Sequence, residues 1–582
     1  MSNQIDRAIS GPPRGDRPDG QQIQPVIVVG AGPVGTTAAL LLADAGIGVV
    51  MLERHAAPHP LPRAVHLDDE VARTLDRIGV CDDFLARSRP GSGLRLLDAR
   101  HRVMAEFHRD QQVGVHGFPQ ANMFHQPDLE QLLLARIEEH SLISLRRGAE
   151  VFRLDDAVGP VRVHARVAGQ PQTFTGPVVL GCDGANSTIR ELAGIAMGDL
   201  GFTERWLVVD IRASAGLDTW DGVEQVCDPA RAATFMHVTG DRYRWEFQLR
   251  DGEDEAGLIT PVALGRLLRP WTGRDDLAGL EIVRTAGYTF RARLASRFRS
   301  GRVFLLGDAA HLTPPFIGQG LGAGLRDSDN LAWKLAHVLT GRAGEDLLAS
   351  YDAERRPHAK AMVKKAVRVG WAMTGGQDRA AAIRRIVLAA AVRSERIRKA
   401  IASTATPGLK TGALQHAERR LLPRSPATLR PGCLIPNPLV STGDGAPVRL
   451  DAILAGRVAV LTARQPGSEL AGLCRRHNLV LLRISSPTPG TATPAAADAD
   501  PAADWTGIRL ADHEPTPGLD HLAANPALTV IVRPDRVIAA VAYGNRLPQL
   551  PWHVPAATAR GIRATDRPPV HPEPAHPLPP AS

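Results

Sequence analysis

The chain has 582 residues, 44% of them hydrophobic and 22% charged, which is enough for about three or four domains with buried cores at roughly 150 residues each. Its formal net charge of +8 comes from dispersed basic residues, so anionic small molecules are expected as ligands and nucleic acid is not. The five cysteines form no CxxC pair and no apolar run reaches about 18 residues, so we expect no metal site, no membrane association and a cytoplasmic location.

The first structural unit follows a leader, residues 1–24, that is rich in Gly and Pro and is expected to be flexible. From Pro25 the sequence PVIVVGAGPVGTTAALLLADAGIGVVMLERH predicts a strand, a glycine turn, a helix and a second strand. Its GxGxxG motif lets the backbone approach a pyrophosphate and lets the helix pack closely on the sheet; the glycines are Gly30, Gly32 and Gly35. Glu53 ends the second strand, where an acid can bind ribose hydroxyls, so the unit predicts a dinucleotide site that suits FAD and NAD equally.

The middle of the chain predicts a helix within 63–78 and then several strands. A buried strand ends at Asp183-Gly184, a pair that taken alone is typical of a turn. Strands at 206–211, 233–238 and 242–249 predict a sheet, and the last of them alternates two kinds of side chain. Its aromatic face is a candidate substrate wall, although an ordinary half-buried sheet gives the same pattern; the candidates are Tyr243, Trp245 and Phe247.

A second glycine-rich motif, RVFLLGDAAHLTPPFIGQGLGAG, begins at residue 302 and leads into a helix predicted over 325–339. Asp308 follows Gly307 at the end of a buried strand, where an acid can hold the hydroxyls of a sugar-like chain. Amides near Leu321 and Gly322, at the start of the helix, would form an anion site that suits the negative edge of a reduced flavin. A loop that only packs the helix on the strand, with Asp308 as its cap, remains the alternative for this motif alone.

The C-terminal part predicts a helical segment, 346–425, and then a separate α/β segment over 430–550 with strands at 457–463, 479–485, 527–534 and 536–544. A Pro/Ala-rich stretch, 485–504, interrupts this segment and predicts a loop without a core, and residues 551–582 predict a disordered tail. His116, His237 and His311 are isolated histidines, which are more often structural than catalytic, so none of them is assigned as a catalytic base.

Together, the GxGxxG, Asp-Gly and Gly-Asp motifs resemble those of the class A flavoprotein monooxygenases, the aromatic hydroxylases. The resemblance covers about residues 25–370, includes PRAVHLDDEV and HQPDLEQLLL, and is greatest to members that hydroxylate 3-(3-hydroxyphenyl)propionate. It implies an α/β fold in which a Rossmann-like FAD-binding domain (25–88, 122–198 and 284–345) is interleaved with an α+β substrate domain (89–121 and 199–283). It also implies that 430–550 forms a thioredoxin-like domain without CxxC, through which two copies could form a homodimer.

The resemblance further implies the residues of the cofactor site. They are Gly30, Gly32, Gly35, Glu53 and Arg54 at the ADP half of FAD, Arg63 and Gln126 against the cofactor, Asp183 near the pyrophosphate and NAD(P)H, and Gly307, Asp308, Pro315, Gly318, Gly320, Leu321 and Gly322 around the ribityl chain and flavin. Pro315 also lines the place where substrate meets the flavin, and the catalytic residues stay unknown.

The implied activity is hydroxylation of a phenolic substrate with NAD(P)H and O₂ through a flavin C4a-hydroperoxide. A 3-hydroxyphenylpropanoate-like acid is the best substrate candidate. An aromatic polyketide or antibiotic is the alternative, because PPFxGQG-type loops such as residues 314–320 occur in enzymes that oxidise those compounds too. Two alternatives of other classes are a non-catalytic ligand-binding protein and a flavin-free NAD(P) dehydrogenase, which would leave the Gly-Asp loop without a role.

Overall fold

The structure is a computed structural model that describes residues 23–58, 61–109, 113–156, 159–374, 406–409, 414, 416–417, 427–442, 446–485, 506–510 and 516–543. The predicted leader up to residue 22, most of 375–425, the Pro/Ala-rich stretch from 486 and the predicted tail lie outside the described residues. Among the described residues, no helix combines the length and the apolar character needed to cross a bilayer.

The strands up to residue 212 are, in chain order, β1 (Val26–Val29), β2 (Val49–Glu53), β3 (His66–Asp68), β4 (Arg89–Pro90), β5 (Gly93–Leu97), β6 (Val103–His108), β7 (Ala121–Met123), β8 (Ile143–Arg147), β9 (Ala149–Asp155), β10 (Val161–Val167), β11 (Gln170–Gly176), β12 (Val179–Gly181) and β13 (Met197–Arg212). The later strands are β14 (Val223–Val226), β15 (Ala233–Thr239), β16 (Arg242–Gln248), β17 (Glu281–Ala295), β18 (Arg299–Ser300), β19 (Val303–Leu305), β20 (His311–Leu312), β21 (His416–Ala417), β22 (Leu439–Ser441), β23 (Val448–Arg449), β24 (Ala459–Thr462), β25 (Val480–Ser485), β26 (Thr506–Leu510), β27 (Leu528–Val532) and β28 (Ile538–Tyr543).

The α-helices are α1 (Pro33–Asp44), α2 (Asp69–Arg77), α3 (Cys81–Arg87), α4 (Gln126–Glu139), α5 (Thr188–Leu192), α6 (Glu255–Leu258), α7 (Pro261–Thr272), α8 (Gly320–Leu339), α9 (Asp346–Thr374), α10 (Leu450–Leu454), α11 (Ser468–Arg476) and α12 (Pro517–Ala523). Short 3₁₀ turns lie at Gly307–Ala309, Pro315–Ile317 and Ala427–Leu429.

The first sheet has the strand order β18-β19-β12-β1-β2-β8 and is parallel except at its edge strand β18. The four residues of β1 are all buried, as expected for a short apolar strand that is covered on both faces. β1 and β2 pair in parallel and α1 connects them, so the predicted βαβ unit is confirmed. The carboxyl ends of β1, β12 and β19 therefore lie side by side, which brings the three sequence motifs to one edge of the sheet.

The second large sheet has the order β20-β17-β13-β16-β15-β14-β5-β6 and is antiparallel except where β14 pairs with β5. Its strands come from separate parts of the chain, as expected for two interleaved units. β17 begins at residue 281, three residues before the predicted domain boundary at 284. It pairs with β13 along its whole length, so the strand runs across that boundary without a break. The three predicted strands of this sheet are confirmed as parts of β13, β15 and β16.

Two helices differ from their predicted bounds. α8 begins at Gly320 rather than at residue 325, because its glycines let the first turn lie against α1: a β-carbon on Gly324 would come within 2.6 Å of the Val34 side chain. Close packing here overrides the low helix propensity of glycine. Within 63–78, the first residues form β3 and only 69–77 are helical, since Asp68 caps the helix by accepting a hydrogen bond from the Val71 amide at 3.0 Å.

The C-terminal sheet has the order β21-β28-β27-β24-β25-β26-β22-β23, and its own apolar core includes Leu461, Leu482 and Val530. The four predicted strands are confirmed as β24, β25, β27 and β28. β24, α11 and β25 form a parallel βαβ unit, and β27 and β28 pair antiparallel beside β24.

Buried ion pairs join this C-terminal sheet to α8 and α9. Arg533 donates to Glu354 at 2.6 Å, and Lys334 donates to the same carboxylate at 2.8 Å. Arg533 also pairs with Asp535, so two cations face two carboxylates. All four side chains are at most 3% exposed, and the charges are therefore neutralised inside the interface rather than by water. Breaking one partner of such a cluster leaves an uncompensated buried charge, and the C-terminal sheet is therefore an integral support of α8.

Candidate functional site

The turn between β1 and α1 contains glycines with two different roles. A β-carbon on Gly30, where φ is +101°, would lie 2.4 Å from the Cys182 carbonyl oxygen, and one on Gly35 would lie 2.1 Å from the Gly30 oxygen. Both glycines are therefore required by the backbone itself. A β-carbon on Gly32 would meet no protein atom within 4 Å, and Gly32 lines the large cavity described below. The turn is thus open where a pyrophosphate would approach, as a dinucleotide site requires.

Glu53 lies beside this turn and fixes it. One carboxylate oxygen accepts a hydrogen bond from the Ala31 amide at 2.8 Å and the other accepts one from the His55 amide at 2.8 Å. Arg54 instead donates to the His55 ring at 3.0 Å and does not line the cavity.

The loop after β19 holds the second predicted motif. The Gly307 amide donates to Asp327 at 3.0 Å, and the same carboxylate oxygen contacts His311 Nε2 at 2.8 Å. Arg355 donates to the other oxygen of Asp327 at 2.7 Å, and all of these side chains are buried. Asp327 thus holds the loop in place, and the sequence reasoning did not identify it. The arginine beside it holds the pKa of Asp327 below its ordinary value although burial opposes this.

Asp308 faces the cavity from this loop. Its side chain is exposed to the cavity and, among the described residues, accepts no hydrogen bond. Because protein surrounds the cavity, desolvation raises the pKa of Asp308, while His311 and Arg63 lower it. A carboxyl group without a partner at a strand end fits the hydroxyls of a cofactor chain. The alternative left open by the sequence, that Asp308 only caps the helix, is not supported, because the N-cap of α8 is Gln319.

Asp183, in contrast, is occupied by its own loop. Its carboxylate accepts hydrogen bonds from Ser187 Oγ at 2.5 Å and from the Ile189 amide at 3.0 Å. Desolvation raises its pKa although these bonds lower it. Its neighbours Cys182 and Gly184 line the cavity, whereas Asp183 itself does not.

The start of α8 completes this side of the cavity. Gly318 has φ +61° and ends the turn Pro315–Ile317, and Gly320 and Leu321 line the cavity at the beginning of the helix. The first amides of a helix lack intrahelical partners and carry partial positive charge, and the first turn of α8 contains no acidic side chain. Gly322 lies behind this wall, where a β-carbon would meet Arg326 at 2.9 Å.

Arg63 and Gln126 meet at the rim. The Gln126 side-chain oxygen accepts hydrogen bonds from the Arg63 amide at 3.1 Å and the Ala64 amide at 2.7 Å, so this glutamine positions the rim segment. The Arg63 side chain is exposed to the cavity.

These elements enclose one cavity of about 450 Å³ that reaches from the glycine turn to the second large sheet. We call its first part the cofactor end, which is lined by Gly32, Arg63, Gly307, Asp308, Gly320 and Leu321. We call its second part the sheet end, which is lined by Val208, Thr234, Met236, Arg244, Glu246, Arg284, Tyr288 and Phe316. Pro315 lies on the wall of the same cavity.

The sheet end corrects the predicted substrate wall. Tyr243, Trp245 and Phe247 do not line the cavity but pack in an apolar core with α7, where Trp245 and Trp271 meet edge to face at 6.3 Å. The opposite face of β16 borders the cavity and presents Arg244 and Glu246. The alternation along β16 was predicted correctly, and the choice of face was wrong because α7 covers the aromatic one.

A group of charged side chains lies at the sheet end. Arg244 donates to Asp210 at 2.6 Å and to the Arg63 carbonyl at 2.8 Å. Arg284 also contacts Asp210, at 2.8 Å, and donates to the Tyr288 hydroxyl at 3.1 Å. The two arginines therefore share one aspartate. Buried charges need oppositely charged or hydrogen-bonding partners, so this group leaves one positive charge for a further anionic partner.

His66 and Arg109 form a second polar contact on the cavity wall. Arg109 donates to His66 Nε2 at 3.1 Å, and His66 Nδ1 lies 3.4 Å from the Gly318 carbonyl. Burial, together with the charge of Arg109, lowers the pKa of His66 to about 4, so the ring is neutral near pH 7. Among the described residues Arg109 has no ion-pair partner, and its positive charge is therefore available to an anion in the cavity.

Comparison with known proteins gives the following findings. A family profile described as FAD binding domain matches residues 24–366, and one described as HcaD C-terminal domain matches residues 432–556. A 3-(3-hydroxy-phenyl)propionate/3-hydroxycinnamic acid hydroxylase from Mycobacterium sp. (strain KMS) is 32% identical over 557 residues, covering 94% of each chain. A second such hydroxylase, from Burkholderia vietnamiensis (strain G4 / LMG 22486), is 37% identical over 440 residues, covering 74% of this chain and 77% of that one. The crystal structure of aklavinone-11 hydroxylase with FAD and aklavinone shares the fold, with a TM-score of 0.71 at 24% identity over 90% of this chain and 97% of that one.

Proposed function

The chain belongs to the FAD-binding-domain family of flavoprotein aromatic hydroxylases, and on that premise we propose that its substrate is a phenolic acid of the 3-(3-hydroxyphenyl)propionate type. It is an FAD-dependent aromatic monooxygenase, as the sequence motifs predicted, and the alternative of a flavin-free dehydrogenase is set aside. The observation that carries the substrate proposal is Arg109, a cavity arginine without an ion-pair partner among the described residues.

We assign cofactor contacts to residues of the cofactor end. Gly30, Gly32, Gly35 and Glu53 would shape the site of the ADP half, Asp308 would hold hydroxyls of the ribityl chain, and the amides near Leu321 and Gly322 would face the flavin carbonyl. Supporting this, Gly32 and Asp308 are open to the cavity and lack protein partners among the described residues. Arg54 and Asp183 are weaker assignments, since each side chain is engaged elsewhere.

The residues of the cofactor end would hold FAD, which would supply the redox chemistry for transferring one oxygen atom of O₂ to an electron-rich ring at the expense of NAD(P)H. The protein binds and orients the ring between the cofactor end and the sheet end. Pro315 and Phe316 line this cavity, and their apolar side chains would help to exclude water from the reacting ring.

The acid group of the substrate is proposed to pair with Arg109. Neutral His66 holds the guanidinium by accepting one of its hydrogen bonds, and no carboxylate of the described residues pairs with Arg109 within 4 Å, although Asp68 and Asp69 attract its charge from farther away. Its remaining donors are therefore proposed to bind the substrate carboxylate. The hydroxylated ring would then lie toward Arg244, Glu246 and Arg284 at the sheet end. The polyketide alternative is less well supported, because two relatives, at 32% and 37% identity, are named for 3-(3-hydroxyphenyl)propionate and 3-hydroxycinnamic acid.

Three further proposals concern the whole chain. We divide it into the two interleaved domains predicted from sequence and a C-terminal domain, which we propose to be thioredoxin-like because it contains a parallel βαβ unit beside an antiparallel pair. We retain the proposal that this domain contributes to a homodimer. A cytoplasmic location is proposed because the reaction consumes NAD(P)H, which cells regenerate internally.

A panel of phenols with and without a carboxylate tests the substrate proposal. Product formation coupled to NAD(P)H oxidation is measured for 3-(3-hydroxyphenyl)propionate and for 3-ethylphenol, with wild type, Arg109→Gln and the control Arg95→Gln, whose side chain pairs with Glu106 outside the cavity. We expect the acid to be preferred by wild type and the control, and Arg109→Gln to raise its KM by about 10–100-fold while leaving that of 3-ethylphenol within about twofold. Equal use of both phenols by wild type would contradict the proposal.

A further inference from the structure

Glu246 lies in the middle of β16 and faces the sheet end of the cavity. Its cross-strand neighbours are Val208 on β13 and Thr234 on β15, and the residue is only 8% exposed. Among the described residues, no side chain or backbone group hydrogen-bonds to its carboxyl group and no cation pairs with it within 4 Å. Its carboxyl group opens onto the cavity, so the hydrogen-bond partner that a carboxyl group in a buried residue needs must come from the cavity contents.

The charged groups that face Glu246 come from three strands. They are Arg244 on its own strand, Asp210 on β13 and Arg284 on β17, while β14 and β15 contribute the uncharged Gln225 and Thr234. Asp210 is already bonded to both arginines, so it has no capacity to accept a further proton without breaking those pairs.

We propose that Glu246 accepts the phenolic proton of the aromatic substrate, an assignment that rests on the proposed function. The substrate O–H bond breaks, its electron pair stays on the phenolic oxygen, and the proton forms a new O–H bond with the Glu246 carboxylate. The phenolate formed is the more electron-rich ring that oxygen transfer needs. After transfer the carboxyl returns its proton to the phenolic oxygen of the product.

The charges at the sheet end favour this step. With Glu246 ionised, two arginines face two carboxylates; with Glu246 protonated, the group carries one excess positive charge, which stabilises a phenolate beside it. Desolvation, and then the nearby Asp210, raise the pKa of Glu246, while Arg244 and Arg284 lower it. A raised pKa brings the carboxylate closer to the proton affinity of a phenol, as an efficient general base requires.

Other groups on the cavity wall are already engaged. The two ring nitrogens of His66 face Arg109 and the Gly318 carbonyl, and the Tyr288 hydroxyl accepts a hydrogen bond from Arg284. Asp308 lies at the cofactor end, in the loop after β19. Glu246 is therefore the carboxylate at the sheet end that is free to act on the ring.

Glu246→Gln is the central variant, because it keeps the shape of the side chain and removes the base. Glu224→Gln is its matched control: Glu224 lies on β14 of the same sheet, is also buried, and accepts a hydrogen bond from Trp271 at 2.8 Å away from the cavity. FAD content and the thermal midpoint establish that both variants are folded. Product formation, product per NAD(P)H and substrate Kd are then measured from pH 5 to 9 with 3-(3-hydroxyphenyl)propionate, and Glu246→Asp tests rescue.

We expect Glu246→Gln to lower the rate of product formation by about 10²–10⁴-fold, with substrate Kd changed less than about fivefold. Its rate should also lose the decrease that wild type shows as pH falls and Glu246 becomes protonated. Ring-fluorinated analogues with more acidic hydroxyls should recover part of the lost rate, a result that a purely structural role would not give. Glu224→Gln should stay within about twofold of wild type, and Glu246→Asp should recover part of the pH dependence.

Glu246→Gln with wild-type rate, coupling and pH profile would overturn the assignment. If wild type hydroxylates another phenol of the panel instead, the same variants are compared on that phenol, so the proposed substrate can fail while the assignment stands. If wild type hydroxylates no phenol, both proposals are wrong.

Discussion

The two ends of the cavity are built in different ways. The cofactor end is mostly backbone: glycines that admit a ligand and amides at the start of α8, together with the carboxyl group of Asp308, which has no partner among the described residues. The sheet end is built from long charged side chains that neutralise one another across strands β13, β16 and β17. A backbone site is fixed by a short contiguous motif, whereas a side-chain site depends on which distant strands become neighbours.

The largest expected effect separates the two roles of glycine at the cofactor end. Gly35→Ala places a methyl group 2.1 Å from a backbone oxygen, so we expect loss of folded protein or a destabilisation of more than about 3 kcal/mol. Gly32→Ala meets no protein atom, so the FAD-free protein should keep its thermal midpoint while FAD affinity falls at least about tenfold. Thermal unfolding and FAD titration measure both. Unchanged FAD affinity in Gly32→Ala would show that the cofactor backbone does not approach this turn.

The next effect concerns the covered face of the sheet. Trp245→Ala removes a side chain with no exposure from the core against α7, and we expect a loss of about 3–5 kcal/mol in unfolding free energy. Trp245→Phe should cost much less, since the indole N–H has no hydrogen-bond partner among the described residues. Denaturant unfolding measures stability, and KM for the phenolic acid should stay within about twofold in the Phe variant. A large change of KM in Trp245→Phe would indicate that the aromatic face of β16 contacts the substrate after all.

Asp308 gives a smaller effect at the cofactor end. Asp308→Ala removes a free carboxyl group that no protein donor needs, so the FAD-free fold should be unaffected or slightly stabilised. FAD affinity should fall by about 10–100-fold, the value of one or two lost hydrogen bonds to a charged group. Fluorescence titration with FAD measures this, and wild-type affinity in the variant would refute the assigned role.

The smallest effect is a dependence of stability on pH. His66 has its pKa lowered to about 4, and the unfolded value is about 6.5, so between these values the unfolded chain binds a proton that the folded chain does not. Stability therefore falls as pH is lowered through this window, by about 2 kcal/mol at pH 5 for one such histidine. His66→Gln should remove that share of the pH dependence. His116→Gln should remove a similar share, because burial also lowers the pKa of His116 to about 4; since His116 lies outside the cavity, this variant is the matched control for effects on substrate binding.

His66→Gln should in addition alter KM for the acid through Arg109, which His116→Gln should leave unchanged. The free energy of unfolding is measured at pH 7 and at pH 5. If it decreases by the same amount in wild type and in His66→Gln, the ring is not held neutral in the folded state.

The difference between the two ends also explains what could be predicted from sequence. The glycine turn, Glu53 beside it and Asp308 at a strand end follow from local motifs, and the structure places them together because parallel strands end at one edge. The alternation in β16 was equally visible. Which face of β16 borders the cavity depends on α7, a helix that begins more than ten residues later and covers the aromatic side.

Residues that act through distant partners gave no local signal. Asp327 holds Gly307 from 20 residues away, and Arg109 contacts His66 across 43 residues. Glu246 lies on the polar face of β16, which in the sequence resembles a solvated face, and only the folded structure shows that this face is buried and borders a cavity. The charge pattern alone could not distinguish a solvated surface from a neutralised interior.

We propose that the cavity joins a flavin site to a site for a phenolic ring, so that oxygen from O₂ reaches the ring. The most direct measurement is turnover of the FAD-loaded protein with NAD(P)H, 3-(3-hydroxyphenyl)propionate and ¹⁸O₂, followed by mass spectrometry of the product. We expect a dihydroxylated acid that carries a single ¹⁸O atom, formed in nearly equal amount to the NAD(P)H consumed. NAD(P)H oxidation that yields only peroxide, or a product without label, across the phenolic panel would contradict it.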